Sequence, residues 1–290
     1  MVLISKANCY IRIIICYTMR LTTLIDNKQS RKQVQCEHGL SFLLEQDGLN
    51  VLFDTGQSGK FLSNALKMGI DMSDVDFVVL SHGHYDHSGG LPEFFKLNSK
   101  AKLLVHKNTL RQRFSRSSVM VKENGTPWRS DLAKYLHRIV FITEDYQLAE
   151  GLNLVCSIPR REGFNAVNDR LVVKQAGAYV PDPFDDEIVL VADHGNKTLL
   201  LCGCAHTGIV NILHHVKERF NVEVFSCVAG GIHLHGCSAD FILPIVNELS
   251  NFNIEKWALN HCTGAKAFQV FESYFPNKVE YMGSGGQLEW

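Results

Sequence analysis

The sequence predicts an α/β protein built as a layered sandwich, and three observations carry that prediction. Short apolar runs separated by turn signals open the first half, strand-like and helix-like segments alternate through the last third, and no Pro-, Ser- or Gly-rich linker or internal repeat divides the chain. Early hairpins followed by late strand–helix alternation fit stacked sheets covered by helices better than a single doubly wound sheet. A chain of 290 residues is long enough to bury about 75% of its unfolded surface in one large domain.

Residues 1–18 read as an N-terminal extension outside the fold, with the domain running from Met19 to Trp290. The apolar stretch from Ile11 to Cys16 is broken by Arg12. It falls short of the roughly 20 apolar residues of a membrane span and makes a poor signal-peptide core. Arg20 to Asn27 reads as a first strand ending in a turn. Leu40–Leu44 and Val51–Phe53 flank Asp47-Gly48, a hairpin signal. A helix follows at Phe61–Met68, a buried strand at Val75–Leu80, a helix at Pro92–Leu97 and a strand at Lys102–Val105.

Lys107 to Tyr135 lacks clean periodicity and carries Arg111, Arg113, Arg116, Lys122 and Arg129. It reads as an insertion or lid-like loop with some helix, its basic side chains on a solvated face. Strands return at Val140–Ile142, Leu152–Ser157, Ile188–Ala192 and Leu199–Leu201, the last two joined by a turn at Asp193–Asn196. Ile209, Ile212, Leu213, Val216 and Phe220 share one helical face. A strand at Val224–Val228 leads to a helix that Ser238 caps. Trp257–Leu259 is a strand, Ala265 to Phe275 the last helix, and Val279–Met282 and Gln287–Trp290 the closing strands.

Twenty-nine basic and thirty acidic residues leave a net charge of −1, so nothing in the bulk electrostatics draws the chain to nucleic acid or an anionic membrane. Nine cysteines, an odd number without a Cys-x-x-Cys pair, read as reduced thiols of a cytoplasmic protein. Thirteen histidines invite a search for metal ligands.

The search ends at Ser81-His82-Gly83-His84-Tyr85-Asp86-His87-Ser88-Gly89-Gly90. Three histidines and an aspartate follow an apolar strand within six residues. Imidazole and carboxylate are the donors that zinc, manganese and iron accept. His82 and His84 alternate along an extended turn, while Asp86 and His87 fall where a helix begins. One such loop can present two ligand sets a few ångströms apart, as a two-metal site requires.

His-x-His-x-Asp-His resembles the signature of the metallo-β-lactamase superfamily, and Phe53-Asp54-Thr55-Gly56 resembles its first motif. Within it the chain looks like a subgroup that includes the β-ribofuranosylaminobenzene 5′-phosphate synthase-like proteins. The resembling pieces are Glu37-His38-Gly39-Leu40-Ser41, the run from Gly203 to Val210, Gly230-Gly231-Ile232-His233-Leu234, and Asn260-His261-Cys262-Thr263-Gly264. The resemblance implies an αβ/βα four-layer sandwich and a centre of one or two divalent ions, with zinc expected and manganese or iron also served by these donors. His206 and His261, both at strand ends, would join His82, His84, Asp86 and His87 as ligands. Asp54 would orient the metal loop from behind, with His38 a second supporting residue. The superfamily usually bridges its metals with a strand-end aspartate; Cys204 stands there instead, either as a thiolate ligand or as a small buried residue. The usual upstream histidine motif is also missing, and Asp185, Asp186 and Glu187 stand near its place.

The expected function is a metal-dependent hydrolase using activated water on an ester, phosphoester or related bond of a small anionic substrate. Asp86 would orient the water while ligating. His233 would contact the substrate or leaving group, and Arg160 and Arg161 would receive an anionic group. One alternative is a phosphoribosyl-transferring synthase, which the resemblance allows. Another is a non-catalytic metal-binding or sensor protein, which the missing aspartate motivates. Neutral charge disfavours a nuclease. His214 and His215 read as surface residues.

Overall fold

The computed structural model describes residues 19–164 and 170–290; the extension expected at 1–18 lies outside the described residues. The first part of the chain runs β1 (Met19–Ile25), β2 (Ser41–Gln46), β3 (Leu49–Phe53), α1 (Lys60–Lys67), β4 (Phe77–Val79), α2 (Tyr85–Ser88), α3 (Leu91–Leu97) and β5 (Lys102–His106). The middle supplies β6 (Arg113–Arg116), β7 (Val121–Glu123), β8 (Ile139–Ile142), β9 (Tyr146–Ala149), β10 (Leu152–Val155), β11 (Leu171–Gln175) and β12 (Ala178–Pro181). The last third contains β13 (Val189–His194), β14 (Lys197–Cys202), α4 (Ile209–Phe220), β15 (Cys227–Gly230), α5 (Ala239–Leu249), β16 (Trp257–Leu259), α6 (Ala265–Tyr274), β17 (Val279–Tyr281) and β18 (Gln287–Glu289).

Two seven-stranded sheets stack face to face, in the orders β18-β1-β2-β3-β4-β5-β8 and β17-β16-β15-β14-β13-β10-β9. Side chains alternate across each strand, and that period of two sorts the core. Phe42 and Leu44 of β2 point between the sheets, against Leu190, Leu199 and Leu201. Leu43 of the same strand points outward, into the layer holding Phe61, Leu91 and Phe94. On the far side, Leu200 and Val228 meet Ile212, Leu213 and Val216 of α4, Val246 of α5 and Phe271 of α6. The layers therefore run helix, sheet, sheet, helix, which is the expected four-layer αβ/βα sandwich. Strands covered on both faces explain the unbroken apolar runs such as Leu199-Leu200-Leu201. The expected cap is present, with the Ser238 hydroxyl accepting from Phe241 N at 3.3 Å.

Three local expectations need correction. The 107–135 segment is more than a loop: β6 and β7 join β11 and β12 in a third, four-stranded sheet, ordered β12-β11-β6-β7. Nor do its basic side chains all face solvent, because Arg113 is fully buried. The strand expected from Val224 begins at Cys227, since Phe225 makes only an isolated bridge to Ile254 and serves the core instead. Among the described residues no helix is long and apolar enough to cross a membrane.

Candidate metal centre

The carboxyl ends of parallel strands are where open α/β sheets place functional groups. Here the two sheets bring such ends together. Asp54 follows β3, and the His82–His87 loop follows β4. Opposite them, Cys204 and His206 follow β14, His233 follows β15, and His261 follows β16. Asp54, Ala205, His233 and His261 all have positive φ, from 48° to 63°. Such conformations cost about 1–3 kcal/mol each and persist where the surroundings enforce them.

The donor atoms converge. His82 Nε2 lies 3.0 Å from His84 Nδ1. His87 Nε2 lies 3.1 Å from His261 Nε2 and 3.2 Å from Cys204 Sγ. Asp86 Oδ2 lies 3.4 Å from His261 Nε2, 3.9 Å from His87 Nε2 and 3.2 Å from His38 Nε2. The ligand atoms of His82, Cys204 and His206 lie within 4.8 Å of one another, and so do those of His87, Cys204 and His261. Two nitrogens each 2.0–2.1 Å from a tetrahedral zinc would sit roughly 3.4 Å apart, so this spacing fits an ion between them. Both ring nitrogens of His206 are buried without a hydrogen-bond partner among the described residues. That orphaned imidazole, and lone pairs facing each other at about 3 Å, fit a divalent cation.

The charge states suit the same role. Burial, with the neighbouring histidines, holds His82 and His206 well below the ordinary histidine value. Burial also lowers His84, against the pull of Asp86. All three therefore stay neutral and offer lone pairs. Burial opposes ionisation of Asp86, but His87, His261 and His38 together hold its carboxyl well below the usual range. Burial would lower His261, yet its hydrogen bond to Asp86, with Cys262 and Asp26, pushes it up to about 9.

Each ligand loop is held by a carboxylate that sits behind it. Asp54 accepts from Ser81 N and Ser81 Oγ, both at 2.7 Å, and meets His87 Nδ1 at 2.6 Å. Asp186 accepts from Gly83 N, between His82 and His84, at 2.8 Å, and meets Arg113 Nη2 at 2.6 Å. Arg113 also donates to Asp182 at 2.8 Å and to Thr109 O at 3.1 Å. Glu187 accepts from His206 N at 2.6 Å, Thr207 N at 2.8 Å and Thr207 Oγ1 at 2.6 Å. Asp26 accepts from His261 N at 2.8 Å and Tyr281 OH at 2.7 Å. Burial raises the carboxyls of Asp26, Asp186 and Glu187. Partners behind metal ligands fix ring orientation and tautomer, and these carboxylates hold the candidate donors in the same way. Gly83 is required here, because a Cβ would run into Thr109 O and the Arg113 guanidinium.

A cavity of about 360 Å³ opens over the donors. Its floor is Asp86, Cys204, His206 and His261, with His38, His84, His233 and Cys262 beside them. Its wall is the third sheet and its connections, through Ser115, Lys122, Asn124 and Leu171, together with Tyr85. His233 stands beside His206, ring centroids 4.2 Å apart, and its backbone N donates to Cys262 Sγ at 3.3 Å. Arg160 and Arg161 lie outside this lining. Arg160 is exposed and donates to Pro183 O at 2.6 Å, and Arg161 is exposed and pairs with Glu218 at 2.6 Å. Among the described residues that line the cavity, Lys122 is the one lysine or arginine, and only its place in a basic segment pointed to it. His214 is half-buried and pairs with Glu248 at 2.9 Å. Cys36, Cys156, Cys202, Cys204, Cys227, Cys237 and Cys262 are all free thiols.

Residues 34–206 match the family model of the metallo-β-lactamase superfamily. A Methanocaldococcus jannaschii protein named 7,8-dihydropterin-6-methyl-4-(beta-D-ribofuranosyl)-aminobenzene-5′-phosphate synthase is 27% identical over 260 residues, 86% of this chain and 88% of that protein. The anti-Pycsar protein Apyc1 of Paenibacillus harenae is 30% identical over 187 residues, 58% of this chain and 72% of that protein. The solved structure of Tm1679, described as a metal-dependent hydrolase of the beta-lactamase superfamily, is 33% identical, covers 93% of this chain and 98% of its own, and superposes with a TM-score of 0.80. Ligand loops, sandwich and relatives agree: the chain belongs to the metallo-β-lactamase superfamily.

Proposed function

We propose that the protein is a metal-dependent hydrolase of a small anionic substrate, with a phosphoester the best-fitting class. The observation that carries this reading is the convergence of two donor sets, one including the orphaned His206 imidazole, on the floor of an open cavity. His82, His84, His206, His87, Asp86 and His261 would hold divalent ions there, which when bound would supply an acidified water and polarise the substrate oxygen. Asp86, held between His38 and His261, orients the attacking water. Lys122 meets the anionic group from the cavity wall. His233, beside His206, hydrogen-bonds the departing oxygen and returns a proton to it.

A second reading, a phosphoribosyl-transferring synthase, is favoured by the similarity to the Methanocaldococcus jannaschii synthase. One experiment separates them. The zinc- or manganese-loaded protein is assayed against phosphoesters, lactones and thioesters, and in parallel for pyrophosphate release from a phosphoribosyl pyrophosphate donor with an aromatic acid. Hydrolysis that falls at least a hundredfold in His82→Ala supports the hydrolase. Pyrophosphate release without ester hydrolysis supports the synthase. A fully loaded protein inert in both assays supports a metal-binding or sensor role.

A further inference from the structure

We infer that Cys204, as a thiolate, is the ligand shared by two metal ions at this centre. The inference rests on the metal-centre reading above and adds the identity of the bridge. Among the described residues, the two donor sets His82–Cys204–His206 and His87–Cys204–His261 have one member in common, Cys204. Its side chain is buried, and its sulfur lies 3.2 Å from His87 Nε2. His206, two residues on, is 1% exposed with both ring nitrogens lacking a hydrogen-bond partner, so an independent donor awaits the same ion.

The backbone around Cys204 explains the placement. Gly203 lets the end of β14 press against Ser81, since a Cβ there would strike the Ser81 side chain. Ser81 is also the residue that meets His82 Nδ1, at 2.9 Å. Ala205 then takes a left-handed conformation, φ 53°. The chain reverses in one residue, and Cys204 and His206 both reach the centre. The neighbouring thiol does not compete on geometry. Cys262 joins a set with Cys204 and His233, but neither donor set that contains His82 or His87 includes it. Its own Sγ donates to Cys204 O at 3.7 Å.

On metal uptake the Cys204 S–H proton passes to solvent and two sulfur–metal bonds form, with no change of oxidation state. A soft thiolate between the ions selects for zinc, and for cobalt as its probe, over manganese or magnesium, which prefer oxygen donors. Of the three candidate metals, manganese is thereby disfavoured, while zinc and iron both accept thiolate.

The test is zinc-edge X-ray absorption on the zinc-loaded wild-type protein, with near-ultraviolet absorption of the cobalt(II)-loaded protein. The expected result is one sulfur neighbour per zinc at about 2.3 Å, together with a thiolate-to-cobalt charge-transfer band. Both signals persist in Cys262→Ser and vanish in Cys204→Asp. Fully loaded wild-type protein without a sulfur neighbour overturns the inference while leaving the metal centre standing. So does sulfur at only one of the two ions, or a signal lost in Cys262→Ser. Wild-type protein that takes up no metal overturns both the inference and the reading beneath it.

Discussion

Replacing Asp54 by asparagine probes the clamp behind the metal loop with almost no change of shape. Asparagine accepts the left-handed backbone that Asp54 adopts at φ 63°, so the main chain need not move. What changes is the hydrogen-bond pattern, and both amide orientations lose something. With its nitrogen at the Oδ2 position, the new amide would donate toward His87 Nδ1 across the 2.6 Å contact. His87 would then carry its proton on Nε2, the atom that lies 3.2 Å from Cys204 Sγ and 3.1 Å from His261 Nε2. An incoming ion must displace that proton. Changes behind metal ligands typically cost 10–100-fold in affinity, about 1.4–2.7 kcal/mol. With its nitrogen at the Oδ1 position, the amide would oppose Ser81 N–H across the present 2.7 Å bond. A buried donor left without an acceptor costs about 1–3 kcal/mol of folding stability. The Asp54→Asn variant therefore loses about 1–3 kcal/mol, either from zinc affinity or from the stability of the metal-free protein. Chelator competition measures the first, and urea unfolding in EDTA the second. Zinc affinity within twofold of wild type, together with unchanged unfolding in EDTA, refutes the claim that this clamp preorganises the loop.

Four further outcomes follow from the same geometry. Gly83→Ala pushes the His82–His84 loop away from Thr109 and Arg113, and should weaken zinc binding at least tenfold in a calorimetric titration. Arg113→Met strands two buried carboxylates, Asp182 and Asp186, and should cost about 3–5 kcal/mol in urea unfolding. In metal-free protein, His82, His84 and His206 are depressed by burial, so their contribution is complete above the ordinary histidine value near 6.5 and is lost as pH falls below it. His261 is raised to about 9, so its contribution is complete below about 6.5 and is lost as pH rises through about 9; melting temperature against pH in EDTA should fall on both sides of neutrality, and Asp86→Asn should flatten the alkaline side. Adding zinc to a hundredfold excess over its Kd should raise unfolding free energy by about 2.7 kcal/mol, read in the same urea assay.

Much of the fold was legible because its strands are buried on both faces and so spell apolar runs. The β2–β3 hairpin, the paired strands β13 and β14, and the amphipathic face of α4 all announce themselves by pattern. The third sheet does not. In β6 one of four residues is buried, and in β7 none is, so no alternation marks them. The candidate donors were legible because His82, His84, Asp86 and His87 share one compact motif, and His206 and His261 sit at strand ends. The clamps were harder to read. Asp186 and Glu187 occupy the place where a histidine motif was expected, and a carboxylate that receives backbone N–H groups leaves no spacing signature in the chain. Arg113 looked like one surface cation among several; only the fold shows that it is sealed between Asp182 and Asp186. The cation on the cavity wall was hard to read for a related reason. Arg160-Arg161 is a conspicuous pair, whereas Lys122 gains its position from a hairpin that the pattern does not reveal.

The seam between the two sheets gives the centre a second meaning. His82, His84, Asp86 and His87 hang from one sheet, and Cys204, His206 and His261 from the other. Neither side holds a complete coordination sphere. An ion held there would act as a rivet through two plates: it would be retained only while both plates are seated, and it would resist their parting. Occupancy and the seating of the halves would then be one equilibrium, and metal content would report on the integrity of the whole sandwich.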